Sequence, residues 1–296
     1  MTKPGITTAA IEDFLQTRYP RHSIEALSEG MESRAVRFVL GNMPCVLRIN
    51  RDDAGFKKDR LAHSRFGSTI PIPQVLDIGV FDEQHSYCIS AFIRGKTLQD
   101  LSEREIDDYL EPTYQILLRI RNQDTTDIKG VGKFDEKLQA NFSSWHSYLR
   151  SFADGAYLRW GKVGFDLKRI IFITDEYNRL IDHCPERRDL VHGDFGSNNV
   201  IVDEGAVVAV LDWDCAAVGD YLADVATAYF WSHHLNCMKR QAEYFELKLA
   251  ASEKHYRERI LCYQLKIALE EIHEALVDES LHEVGLFIDR AKAILG

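Results

Sequence analysis

Leu190-Val-His-Gly-Asp-Phe-Gly-Ser-Asn-Asn-Val200, followed by Leu211-Asp-Trp-Asp214, is the densest run of polar chemistry in the chain. Between the two stretches lie Val200–Val202 and Val207–Leu211, short β-branched runs flanking Asp203-Glu204-Gly205, which is a hairpin signature. A hairpin there brings Asn199 and Asp212, 13 residues apart, side by side at its open end. An amide oxygen beside a carboxylate suits Mg²⁺, which takes a few oxygen ligands and completes its shell with water and substrate phosphates. Asp194, five residues before Asn199, is then placed to accept a proton from an attacking hydroxyl.

A lone His-x-Asp reads as a turn, and a lone Asn as an Asx-turn residue. The full set at 192, 194, 199 and 212 carries more information. It matches the His-x-Asp-x4-Asn pattern with a downstream metal-binding Asp found in phosphoryl-transfer enzymes of kinase fold. On this reading Asp194 and His192 are the catalytic residues, and Asn199 and Asp212 hold the metal.

The chain upstream fits such a fold. Thr7–Arg18 places Ile11, Phe14 and Leu15 on one helical face. Strand-like runs follow at Ile24–Leu27, Ala35–Leu40, Cys45–Ile49, Gln74–Val80 and Tyr87–Phe92, around one helix at Phe56–Phe66 that stops before Ile70-Pro-Ile-Pro. The turn Leu27-Ser-Glu-Gly-Met-Glu-Ser-Arg-Ala35 offers Gly30 and Ser33 as phosphate-facing residues, although a single glycine is also ordinary in a hairpin. Arg48 sits inside an apolar strand and needs a partner or an anionic ligand there, Asp59 being the candidate partner. After Arg94-Gly95-Lys96 the sequence becomes helix-rich, with a glycine-punctuated loop at 130–134 and helices at Ser144–Phe152 and Asp166–Ile181. We therefore expect an α+β, two-lobe, protein-kinase-like fold. Residues 1–93 form a small β-rich nucleotide-binding lobe, and residues 94–296 a larger, mainly helical lobe with the catalytic loop and acceptor site.

Composition bounds the partners. In 296 residues, 36 Lys and Arg stand against 46 Asp and Glu, a formal net charge of −10, which disfavours a grip on nucleic-acid phosphates. Six cysteines show no CxxC pair, as in reduced cytosolic thiols, and the longest apolar run, Ala206–Leu211, is too short to span a membrane. The expectation is a cytoplasmic monomer without nucleic-acid or membrane partners.

Leu27–Ala35, Val46–Asn50, Ile70–Gly79, Thr97–Leu101, Val191–Val200 and Val218–Trp231 resemble the aminoglycoside phosphotransferase family, with Gly130–Phe134 and Ser144-Trp145 adding to the likeness. The resemblance implies ATP- or GTP-dependent phosphorylation, with Mg²⁺, of a hydroxyl on a cationic aminocyclitol antibiotic of the hygromycin B type, conferring resistance. It further implies Arg48 on the nucleotide phosphates, Ser90 to Ile93 (with Phe92) as the hinge against adenine, and Asp224 as anchor of the catalytic loop. Asn198 and Trp231 stand near the acceptor, with Asp214, Asp220, Glu270, Glu271 and Glu274 available to line its pocket; the glutamates serve equally as a solvated helix face. His234 and His273 depart from the family, where aromatic residues are usual. A metabolic kinase acting on choline, homoserine or a sugar, and a non-catalytic nucleotide-binding protein, are the alternatives.

Overall fold

Alternation along Met43–Asn50 organises the N-terminal part of the molecule: Cys45, Leu47 and Ile49 are buried on one face, which leaves Val46, Arg48 and Asn50 on the other. The computed structural model describes residues 5–19, 24–27, 34–162 and 164–296. Five antiparallel strands, β1 (Glu25–Ala26), β2 (Arg34–Leu40), β3 (Met43–Asn50), β4 (Val75–Val80) and β5 (Ser86–Ala91), form a sheet in the order β1-β2-β3-β5-β4. Its inner face packs Val36, Phe38, Leu47 and Ile89 against Ile11 and Leu15 of helix α1 (Thr8–Arg18). Thr7 starts that helix by accepting the Ala10 N–H at 3.2 Å.

Helix α2 (Ala54–Phe66) leaves β3 and buries Phe56, Lys58, Asp59, Ala62 and Phe66. Ala62 and Phe66, with Ile70 and Ile72, belong to the large hydrophobic core of the helical part, and the Val210 N–H donates to Pro71 O at 2.7 Å. The small sheet is thus joined to the helical part through packed side chains as well as through the chain at Ile93–Lys96.

The helical part begins with β6 (Lys96–Thr97) and α3 (Glu103–Arg121), continues through β7 (Val131–Phe134), β8 (Ala140–Phe142), α4 (Trp145–Lys162), α5 (Ile171–Ile181) and β9 (Asp189–Val191), and then enters the hairpin β10 (Val200–Asp203) and β11 (Ala206–Val210). After β12 (Ala217–Gly219) come α6 (Leu222–Trp231), α7 (Asn236–Leu249), α8 (Tyr256–Val277) and α9 (Leu281–Leu295). The hairpin turns at Glu204 and Gly205, both with positive φ (45° and 80°), and β10 also pairs with β6. Among the described residues no helix is long and apolar enough to cross a membrane.

Two expectations change. The stretch 130–134, expected as a loop, is largely strand: β7 lies between β8 and β12 in a four-stranded sheet ordered β8-β7-β12-β9. Gly132 hides this from the sequence, since its φ of 92° and the Tyr148 ring, 2.5 Å from where a Cβ would sit, require glycine within the strand. The helix expected over Ser144–Phe152 runs on to Lys162.

Trp145 is fully buried, donates from Nε1 to Tyr263 Oη at 2.9 Å, and lies flat over the end of β12. A Cβ on Gly219 would come within 2.2 Å of that ring. Gly219→Ala is therefore expected to destabilise the fold by about 1–3 kcal/mol, as overpacking does. Urea unfolding checks this, and an unchanged midpoint would contradict the contact.

Candidate active site

The segment Val191–Asn199 leaves β9 as a loop whose backbone is held from both sides. Asp224, in the first turn of α6 and wholly buried, accepts the His192 N–H at 2.8 Å and the Gly193 N–H at 2.7 Å. Burial pushes its carboxyl up to about 7, the two N–H groups pulling the other way. The buried His192 ring uses both nitrogens: Nδ1 accepts the Asp194 N–H at 3.2 Å, which fixes the proton on Nε2, 2.9 Å from the Leu211 carbonyl. Burial lowers this histidine to about 4, so it is neutral and serves as a strut between the loop and the end of β11. Gly193 has φ 88°, and a Cβ there would meet Cys215 O at 2.4 Å.

Asn199 and Asp212 come to the same end of the hairpin, as its register requires: Val200 faces Val210, and the Leu211 N–H donates to Asn199 O at 2.8 Å. Asn199 Nδ2 donates to the Asp194 carboxylate at 2.6 Å and to the Asp194 carbonyl at 3.0 Å. Its Oδ1 is the remaining acceptor of that amide. The Asp194 side chain reaches the loop surface, yet desolvation by the protein packed around it raises its pKa; Asn199 opposes that shift and Glu270 adds to it.

Arg48 leaves β3 on the face away from α1 and forms an ion pair with Asp59 of α2. Burial disfavours its charge, but Asp59, Cys88 and Asp212 outweigh that and hold the guanidinium above its ordinary value. Asp59 Oδ1 also accepts the Trp213 N–H at 2.9 Å, so one carboxylate ties β3 to the residue after Asp212. Asp212 sits at φ 59° and is raised to about 6 by burial and then by Asp59, with Arg48 opposing and Asp194 and Asp214 reinforcing the rise.

These residues fit Mg²⁺. They offer one amide oxygen and one carboxylate, both hard donors, in a spot where clustered carboxylates leave negative charge in excess. Among the described residues no group of three or more His, Cys, Asp or Glu is arranged to hold a metal alone. A two-ligand site completed by phosphate and water is the arrangement Mg²⁺ accepts.

A profile of the phosphotransferase enzyme family matches residues 23–261. The chain belongs to that family. It is 38% identical over 302 residues to the hygromycin-B 4-O-kinase of Escherichia coli, an alignment covering 100% of this chain and 87% of that protein. The crystal structure of aminoglycoside phosphotransferase APH(4)-Ia superposes with a TM-score of 0.90 at 36% identity, covering 97% of this chain and 98% of that one. A thermostable mutant of the same enzyme, solved as a ternary complex with AMP-PNP and hygromycin B, gives 0.88 at 37% identity, covering 96% and 97%. The kinase-like fold of this phosphotransferase is thereby established.

Placement of the other expected residues is uneven. Gly30 and Ser33 lie outside the described residues. Ser90 faces Val46 across the sheet, on the same side as Arg48. The N–H groups of Ala91 and Phe92 donate to Gln74 O (2.9 Å) and Pro44 O (3.0 Å), so adenine contacts at the hinge would fall to other backbone groups. Asn198 is exposed on the loop beside Asp194. Asp214 is paired with Lys133 at 3.0 Å, and Glu270 with Lys266 at 2.6 Å. Glu271 is pushed up to about 8 by burial and by Glu274, Glu270, Asp194 and Glu283. Trp231 ends α6, about 10 Å along the axis from Asp224, with its ring against His234 and Phe287.

Asp220 is a correction: it faces no pocket. It is fully buried, accepting from Arg259 at 2.9 and 2.6 Å and from Tyr263 Oη at 2.6 Å. Lys58 and Lys133 are not among the sequence-predicted residues, because their partners lie far along the chain, although a lysine inside the apolar stripe of α2, beside Asp59, is a readable signal.

Replacing Asp224 by Ala strands the buried His192 N–H, worth about 1–3 kcal/mol, and frees the part-buried Gly193 N–H. The variant is expected to lose stability on that scale and to lose turnover as the loop relaxes, with Asn, which keeps a single amide oxygen, falling between. Paired urea unfolding and rate measurements test this. Full activity in Asp224→Ala would remove the anchor.

Proposed function

We propose that this protein transfers the γ-phosphoryl group of ATP to a hydroxyl of an aminocyclitol antibiotic of the hygromycin B type and so inactivates it, acting as a Mg²⁺-dependent cytoplasmic monomer. The observation that carries this reading is the Asp194–Asn199 contact of 2.6 Å beside Asp212, in a chain 38% identical along its whole length to a hygromycin-B 4-O-kinase.

Asp194 receives the proton as the acceptor oxygen attacks the γ-phosphorus and the bond to the leaving ADP oxygen breaks. The Asn199 amide aims that carboxylate. His192, with both nitrogens engaged, shapes the loop and takes no part in proton transfer. Arg48, oriented by Asp59, meets the phosphates. When held by Asn199 and Asp212, Mg²⁺ would neutralise charge on the transferring phosphate. Phosphoryl transfer asks a protein chiefly for such alignment and charge neutralisation.

Glu270 and Glu271 on α8, both electrostatically coupled to Asp194, make the acceptor side acidic, which suits a polycation. Asn198 and Trp231 would add polar and aromatic contacts, and Asp214 an acidic one shared with Lys133.

An ADP-release assay with Mg·ATP and hygromycin B, alongside other aminocyclitols, choline and homoserine, tests the substrate class. Turnover only with a metabolite would overturn the antibiotic reading. Asp194→Ala is expected to lower kcat by about 10²–10⁴-fold, the range for a general base, with Mg·ADP binding retained. Undiminished turnover would remove Asp194 from its role.

The acceptor KM carries a pH signature. Glu271, raised to about 8, is protonated in the free protein at neutral pH, and a cationic acceptor favours its ionised form. Binding therefore releases a proton, and affinity rises with pH up to about 8 before levelling. Glu271→Gln is expected to flatten that rise, measured as KM from pH 6 to 8.5; an unaltered slope would exclude Glu271 from the acceptor site.

A further inference from the structure

Helix α2 buries two adjacent charges, Lys58 and Asp59, each only 5% exposed. Charges are not buried without partners, and the destination of Lys58 is unusual. Its Nζ donates to the backbone carbonyls of Asp214 and, at 3.2 Å, Ala216, 156 and 158 residues away, and rests 5.0 Å from the centre of the Phe134 ring. Asp59, one residue on, takes the Trp213 N–H. One turn of α2 therefore grips three backbone groups of the segment immediately after Asp212.

That segment needs holding. Asp212 is a non-glycine residue in the left-handed region, at φ 59°, a conformation that costs of order 1–3 kcal/mol and persists only where the surroundings impose it. Before it, the chain is fixed by the Leu211–Asn199 backbone bond; after it, the Ala216 N–H closes a turn on Trp213 O at 2.9 Å before β12 begins. Between these fixtures, α2 supplies the contacts from outside the segment to its backbone at 213 and 214, and at 216 Lys58 shares the carbonyl with the Phe134 N–H of β7, 3.4 Å away. Lys133 adds a contact to the Asp214 side chain, at 3.0 Å, but none to its carbonyl. Because the Lys58 ammonium binds carbonyls, it sets backbone geometry and leaves the Asp212 carboxylate free.

We propose that Lys58 is a positioning residue for the metal site: by clipping the carbonyls of Asp214 and Ala216 it keeps Asp212 in its left-handed conformation beside Asn199. Capture of Mg·nucleotide is thereby coupled to the seating of α2, the helix whose Asp59 also orients Arg48. This rests on the reading of Asn199 and Asp212 as the Mg²⁺ ligands. A Lys58 that merely stapled α2 to β7 and the 213–216 turn would affect stability without a selective effect on metal-dependent binding.

Calorimetric titration of ADP in the presence of Mg²⁺ and in EDTA separates these roles, using the full chain and the variants Lys58→Met, Lys58→Arg and Lys58→Gln. In wild type, Mg²⁺ should strengthen ADP binding; if it does not, and hygromycin B is not turned over, the reading of the metal site falls and this proposal with it. With wild type as expected, Lys58→Met should weaken Mg·ADP binding by roughly 10–100-fold, the usual effect of removing a support behind a metal ligand, and leave metal-free ADP binding unchanged. Lys58→Arg, which can still bind two carbonyls, should restore most of the difference. Equal weakening with and without Mg²⁺, or no weakening, would overturn the proposal. If Lys58→Met does not fold, by circular dichroism, the Arg and Gln variants decide: Arg should keep the Mg²⁺ enhancement and Gln diminish it, and a Gln variant equal to wild type would overturn the proposal.

Discussion

A buried carboxylate accepting two adjacent backbone N–H groups underlies the site: Asp224 on His192 and Gly193. Desolvating a carboxylate is unfavourable by several kcal/mol, and charge-assisted bonds near the N-terminus of α6 offset much of that. Burial still prevails, since the group sits near 7. The arrangement fixes where the loop can run. With those two N–H groups anchored, His192 reaches the Leu211 carbonyl, Gly193 passes over Cys215, and Asp194 emerges at the surface within reach of Asn199. The same helix that anchors the loop ends in Trp231, so under the proposed function the catalytic loop and one wall of the acceptor site would share one rigid element.

Charge is distributed with a consistent sense around that loop. Where β3 meets α2, Arg48 is oriented by Asp59 and Lys58 is bound to carbonyls, so both cationic groups are engaged by the protein itself. Asp212, Asp194 and Glu271 are all raised, each by desolvation first and by carboxylate neighbours as well, Glu270 being the one that acts on Asp194. Such a surplus of negative charge is unfavourable in the isolated protein and is relieved by cations. A divalent metal at one end and a polyamine-like acceptor at the other would meet that need, and the net charge of −10 extends the same bias over the whole chain.

Much of this was legible in the sequence because the signals are local. A hairpin turn with glycine at a positive-φ position implies its own register, and register alone brings residues 199 and 212 together. Alternation along β3 implies that Arg48 faces away from Leu47 and Ile49, and an Asp eleven residues later on a helix is within reach of it. The four-stranded sheet of β8, β7, β12 and β9 was not legible: its strands have three or four residues, β7 carries Gly132 within it, and Val218 pairs with Gly132 across 86 positions. Asp220 was misplaced for a related reason, since only the buried Arg259 and Tyr263 reveal that it is an anchor.

The sequence by itself determined the reaction class, because phosphoryl transfer needs a few oxygen-bearing groups at short spacings that local turns and strand periodicity fix. Tertiary structure decided which charges do chemistry and which hold the fold. Asp220 is indistinguishable along the chain from a surface charge, and the sequence does not say which groups Lys58 and Asp224 bind. What separates them is the company each keeps, carbonyls, a guanidinium or backbone N–H groups, brought from 30 to 160 residues away by packing of apolar faces that specifies no single polar partner in advance.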